Sequence, residues 1–179
     1  MNRDLIGPCL DELVAAEGVV RELVPGEGGD PLPAVYLVAF HRAEQSLAAG
    51  LLALLNSRQE RLPAFRAVDW GKAWRWLHAR TGQDLAPEQQ EAAQLALTQK
   101  VAVLTGGPGC GKSFTVRSVV ELATAKRATV VLAAPTGRAA KRLAELTGHD
   151  ASTVHRLLEL QPGGDPRYGP ATRWTPIWS

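Results

Sequence analysis

The stretch from Lys100 to Val120, KVAVLTGGPGCGKSFTVRSVV, constrains the fold of this chain more than any other. An apolar run leads into glycines at 106, 107, 109 and 111, and a lysine and a hydroxyl residue then open an amphipathic segment. Gly106 to Ser113 reads G-G-P-G-C-G-K-S, which satisfies G-x-x-x-x-G-K-[ST], the phosphate-binding loop. The spacing has a chemical cause. Several backbone N–H groups must approach a triphosphate closely, and side chains would hold it away. Lys112 supplies a point charge for the outer phosphates, and the Ser113 hydroxyl is a hard oxygen ligand for Mg²⁺. A helix starting near Lys112 adds the positive end of its dipole.

The flanks fit the motif. Val101-Ala102-Val103-Leu104 reads as a short buried parallel strand. Phe114, Val116, Val119, Val120 and Ala123 recur at roughly helical spacing after the loop. Strand, loop and helix is the order a P-loop requires. Thr129-Val130-Val131-Leu132-Ala133-Ala134 reads as a second strand, and Pro135-Thr136-Gly137 turns it into another helix capped by Thr136. The expected class is therefore α/β, with a P-loop parallel sheet and flanking helices.

Upstream, Leu5 to Ala16 looks helical, and Val19–Leu23 and Ala34–Phe40 read as strands around the turn-rich Pro25–Pro31. A helix followed by a hairpin is the outline of a winged-helix-like segment. His41 to Ser57 reads as a helix with Leu47, Leu51, Leu54 and Leu55 on its core side. Asp69 caps another, in which Trp70, Trp74 and Leu77 form a core stripe and Trp76 stands off it. Pro87 occupies the first turn of a helix that opens at Leu85-Ala86-Pro87-Glu88-Gln89-Gln90. The expected organisation is 1–40 winged-helix-like, 41–84 a helical linker region, 85–160 the P-loop domain, and 161–179 an irregular tail.

The net charge of +2 hides an asymmetry. Between 100 and 142 stand Lys100, Lys112, Arg117, Lys126, Arg127, Arg138, Lys141 and Arg142 against a single acid, Glu121. Such a face is either solvated surface or a polyanion site, and charge alone does not choose. Arg138, Lys141 and Arg142 share one helix face, and cations at a helix start that follows a strand end suit a nucleic-acid backbone. Cys9 and Cys110 are too few for a disulfide framework and join no metal-ligand cluster. No apolar run approaches the ~18 residues of a membrane helix and no secretory signal opens the chain, so no membrane partner and a cytoplasmic setting are expected.

Four segments in order, LAPEQQEAA, LTGGPGCGKSFT, LAAPTGRAAKRLAELTG and ASTVHRLLEL, resemble the RecD-like ATP-dependent DNA helicases of superfamily one. The resemblance spans about Leu85 to Leu160, and YLVAFHRAEQSLAAGLLALL is similar to the region before the motor in that family. It implies an incomplete RecA-like domain, 5′ to 3′ tracking on single-stranded DNA, and ATP with Mg²⁺ as cofactors. By resemblance Gln89 reads the adenine edge, and Gly106, Gly107, Pro108, Gly109, Cys110, Gly111, Lys112, Ser113 and Phe114 form the nucleotide site. Lys112 is its catalytic lysine and Ser113 its metal ligand. Where the family has a small polar residue this chain has Ala86, which weakens the helix cap, and Cys110 replaces a common threonine. Pro135, Thr136, Gly137, Arg138 and Lys141, with Thr153 and His155, correspond to segments that contact DNA.

Hydrolysis in such a motor needs an acidic pair on a later strand, and none follows Leu160. The expectation is the front part of a helicase, with a nucleotide- and DNA-binding module without catalysis as the alternative. A P-loop kinase is not expected to carry APTGRAAKRLAE. Read one base out of frame, the codons of Ala171–Ser179 can spell a polar stretch ending Asp-Leu-Val. A single-base insertion near Gly169–Pro170 is therefore expected to have produced the tail. No protein partner follows from the residues.

Overall fold

The computed structural model describes residues 6–26, 28–58 and 62–160, so the tail 161–179 lies outside the described residues. The chain divides into two compact units, Met1–Asn56 and Ser57–Ser179, a boundary that falls inside the stretch 41–84.

In the first unit α1 (Ile6–Ala15) is followed by β1 (Val19–Pro25), β2 (Pro31–Leu37) and α2 (Val38–Asn56). The strands pair antiparallel from Val19 opposite Leu37 to Pro25 opposite Pro31. Pro31 and Pro33 have no N–H to give to that ladder. The turn closes with the Gly26 N–H donating to the Asp30 carbonyl at 3.0 Å. The strand expected to reach Phe40 stops at Leu37, because its partner Val19 is the first residue of β1. Beyond it the backbone satisfies itself locally, and α2 begins at Val38.

The leucine stripe of α2 departs from expectation. Leu47, Leu51, Leu54 and Leu55 are exposed rather than packed in a core, and no described residue of α1 or α2 is buried. Two helices and one hairpin supply no opposing layer for that stripe.

The second unit contains a short 3-10 turn at Pro63–Phe65, then α3 (Trp70–Thr81), α4 (Pro87–Thr98), α5 (Lys112–Ala125), β3 (Leu132–Ala134), α6 (Gly137–Thr147), β4 (Ala151–Thr153) and α7 (Val154–Leu157). Asp69 caps α3 by accepting from the Lys72 N–H at 3.0 Å. That bond holds its carboxyl below the usual aspartate range. Gly82 ends α3 with φ of 70°, in the left-handed region that glycine enters freely.

The core lies where α3, α4 and α5 meet. Phe65, Leu97, Leu122 and Ala123 form one buried cluster, and Leu77, Leu85 and Ala93 form another. Trp70 and Trp74 stack with ring centroids 5.2 Å apart and pack against the first cluster. Buried hydroxyls are satisfied within their own helices: Ser118 donates to the Phe114 carbonyl at 2.9 Å and Thr147 to the Leu143 carbonyl at 2.8 Å.

The sheet is shorter than the apolar runs suggest. β3 and β4 pair in parallel, from Leu132 opposite Ala151 to Ala134 opposite Thr153, joined by α6 as the crossover. Only three residues of the run expected at Thr129–Ala134 enter that ladder. Val101–Leu104 is not a strand: it has no ladder partner among the described residues, and Val103 is 82% exposed. A strand exists only where another backbone completes its hydrogen bonds, and β4 offers three residues. Instead an apolar cleft of about 490 Å³ opens beside α4 and α5, lined by Val101–Leu104 and Thr129–Leu132. The fold is α/β, an incomplete P-loop NTPase sheet with flanking helices.

Candidate nucleotide and nucleic-acid sites

The phosphate loop joins the unpaired 101–105 stretch to α5. Gly111 caps α5 with φ of 76°, and the Thr115 N–H donates back to its carbonyl at 3.0 Å. The N–H groups of Lys112, Ser113 and Phe114, in the first turn of a fourteen-residue helix, therefore have no acceptor among the described residues. These groups and the helix dipole favour an anion.

Lys112 folds back over the loop. Its Nζ donates to the carbonyls of Gly106 and Gly107, each at 2.6 Å, and lies 3.5 Å from Cys110 Sγ. An ammonium held by two loop carbonyls stands at the loop itself, where its charge is available to a phosphate. A side chain on Gly106 would meet Cys110 Sγ at 2.6 Å, so glycine there makes room for the cysteine. Ser113 is exposed, and its hydroxyl has no partner among the described residues.

These residues fit a magnesium-bound polyphosphate. Free helix N–H groups, one ammonium and one exposed hydroxyl are its ordinary ligands, with phosphate oxygens and water completing the metal's shell. Phe114 has a different neighbourhood: it packs on the cluster of Leu77, Leu85 and Ala93. That packing anchors the first turn of α5.

Gln89 reaches the loop from α4. Its Oε1 accepts from the Ala86 N–H at 3.0 Å and its Nε2 donates to the Cys110 carbonyl at 3.2 Å. The first bond is half of a capping box; Ala86 has no side-chain oxygen to make the other half. The cap is weaker, as the sequence predicts.

The second group of residues gathers at the ends of β3 and β4. Because Ala134 pairs with Thr153, the turn Pro135-Thr136 and the start of α7 leave the sheet side by side. Thr136 caps α6, its Oγ1 accepting from the Ala139 N–H at 3.2 Å. Thr153 caps α7 in the same way, accepting from Arg156 at 3.2 Å. Gly137, Arg138, Lys141, Arg142 and His155 are exposed, and among the described residues Lys141 has a single loose partner, Glu145, at 4.0 Å. Polar side chains at the carboxyl ends of parallel strands are the usual ligand position in open α/β sheets.

Sequence reading missed two connections. Glu121, the lone acid of the basic stretch, is bound by Arg80 Nε at 2.6 Å, and the Arg80 guanidinium lies 5.6 Å from the Trp76 ring centroid. Trp76 thus gives its ring face to a cation–π contact. The Gln89–Cys110 bond, too, joins positions 21 apart. Neither has a local sequence signal.

A phosphate loop at the start of α5 and a β3–α6–β4 crossover define a P-loop NTPase of the α/β class. Residues 89–173 match the AAA domain family. The chain is 43% identical over 132 residues to the ATP-dependent RecD2 DNA helicase of Deinococcus radiodurans, covering 73% of this chain and 17% of that one. It is 39% identical over 153 residues to the RecBCD enzyme subunit RecD of Mycobacterium tuberculosis, covering 72% and 24%. The ATP-dependent DNA helicase dda of phage T4 is 34% identical over 88 residues. This chain belongs to the RecD-like helicases of superfamily one, and spans 17% and 24% of the length of the first two relatives.

Proposed function

We propose that this chain is the nucleotide-binding front of an ATP-dependent 5′ to 3′ DNA helicase. ATP with Mg²⁺ sits on Gly106–Ser113 and single-stranded DNA crosses the β3 and β4 ends. The observation that carries the reading is the convergence of two side chains on one loop: Lys112 on the Gly106 and Gly107 carbonyls, and Gln89 on the Cys110 carbonyl. Lys112 would hold the outer phosphate oxygens in place of those carbonyls, Ser113 would offer its hydroxyl to the metal, and Gln89 would offer its remaining donor and acceptor to adenine. Bound Mg²⁺ would offset phosphate charge and hold it in register. Pro135, Thr136, Gly137, Arg138, Lys141, Thr153 and His155 face the DNA backbone, and the setting is cytoplasmic.

A second reading, a nucleotide- and DNA-binding module without catalysis, is favoured by one observation. Glu121, the only acid between 100 and 142, is committed to Arg80 and is not free to position water. Titration calorimetry with Mg·ATP tests the shared part: binding is expected in the wild type and lost in Lys112→Ala. Equal affinity in both overturns it. Phosphate release by the wild type that disappears in Lys112→Ala selects the motor, and binding without release selects the module.

A further inference from the structure

We propose that Gln89 is a positioning residue that sets the peptide between Cys110 and Gly111 in its phosphate-binding orientation, whatever base the nucleotide carries. The inference rests on the reading that Gly106–Ser113 holds phosphate.

A trans peptide is planar, and the C=O of one residue and the N–H of the next point in opposite directions. Gln89 Nε2 donates to the Cys110 carbonyl at 3.2 Å. The N–H of Gly111 is therefore turned away from Gln89, and it has no acceptor among the described residues. It joins the free N–H groups of Lys112, Ser113 and Phe114 that follow it. Freed from Gln89, this peptide could rotate and present a carbonyl oxygen, which repels an anion, in place of a donor.

The amide that does this is itself fixed. Gln89 Oε1 accepts from the Ala86 N–H at 3.0 Å, so both ends of the side chain are held. Its helix is anchored by Ala93, fully buried, and Leu97, 2% exposed. Gly111 completes the fit: a Cβ there would run into Gln89 Nε2, and its φ of 76° is left-handed. Loop and amide approach each other only because position 111 has no side chain. One N–H and one oxygen lone pair of the amide stay uncommitted, so positioning the loop and reading a base are compatible roles.

Two ligands separate the roles: Mg·ATP and magnesium tripolyphosphate, which has no base. Gln89→Met keeps the length of the side chain without its amide and adds no charge. The expected result is a loss of about five- to tenfold for tripolyphosphate, the worth of one hydrogen bond, and at least that for Mg·ATP. In the nucleotide-free ¹H–¹⁵N spectrum the Gly111 amide peak should move while the melting temperature stays within a few degrees. Wild-type affinity for tripolyphosphate in Gln89→Met overturns the proposal, whether or not ATP binding weakens, because the residue then acts on the base alone. An unmoved Gly111 peak overturns it as well. Failure of the underlying reading looks different: tripolyphosphate binds the wild type and Lys112→Ala equally, or binds neither.

Discussion

Arg80 Nε donates to Glu121 Oε2 at 2.6 Å, tying the last turn of α3 to α5. The Glu121 side chain is 15% exposed and that of Arg80 58%, so the acid is the desolvated partner. Removing Arg80 leaves a mostly buried carboxylate without its cation and uncovers Trp76. Arg80→Ala is expected to destabilise the second unit by about 1 kcal/mol, small because solvent screens the arginine side. Urea unfolding followed by tryptophan fluorescence reads it. A difference that does not shrink in high salt would argue against an ion pair.

The cap of α3 gives a pH prediction. The Lys72 N–H lowers the Asp69 carboxyl below its unfolded value, with the charges of Lys72 and Arg75 adding to the effect. A depressed folded value means the stabilisation is present above the unfolded value and is lost as pH falls through the folded one. Asp69→Ala should lower the melting temperature at neutral pH, and the gap to wild type should close in acid. A gap that stays constant from neutral pH into acid would mean that the carboxylate charge contributes nothing.

Gly111 carries two constraints, its left-handed φ of 76° and the approach of Gln89. Gly111→Ala is expected to cost roughly 1–2 kcal/mol of stability from backbone strain alone. It should also lower nucleotide affinity by more than the tenfold expected of Gln89→Met, because the Cβ displaces loop and amide together. Calorimetry on the folded variant checks it, and wild-type affinity would show that the loop tolerates a side chain.

For the β3 and β4 ends, substituting Arg138 and Lys141 by alanine together should weaken single-stranded DNA binding at about 50 mM salt. The slope of log affinity against log salt should fall by roughly 1.4, two phosphates at about 0.7 each. Fluorescence anisotropy over a salt series measures both. An unchanged slope would return this face to plain solvated surface.

The sequence by itself determined the local parts of this protein. The phosphate loop, the caps at Asp69 and Thr136 and the Trp70–Trp74 stripe were legible, because their bonds join residues a few positions apart. Tertiary structure decided whatever needs a distant partner. Val101–Leu104 has a strand's composition and no ladder among the described residues, and β3 is as short as β4 allows. The Leu47 stripe of α2 has helical periodicity and is nonetheless exposed. Phe114 follows the loop in sequence yet packs on Leu77, Leu85 and Ala93, and Gln89 meets Cys110 across 21 positions. Periodicity records which face a residue takes; whether a backbone or side chain stands opposite that face is fixed only when the chain closes on itself.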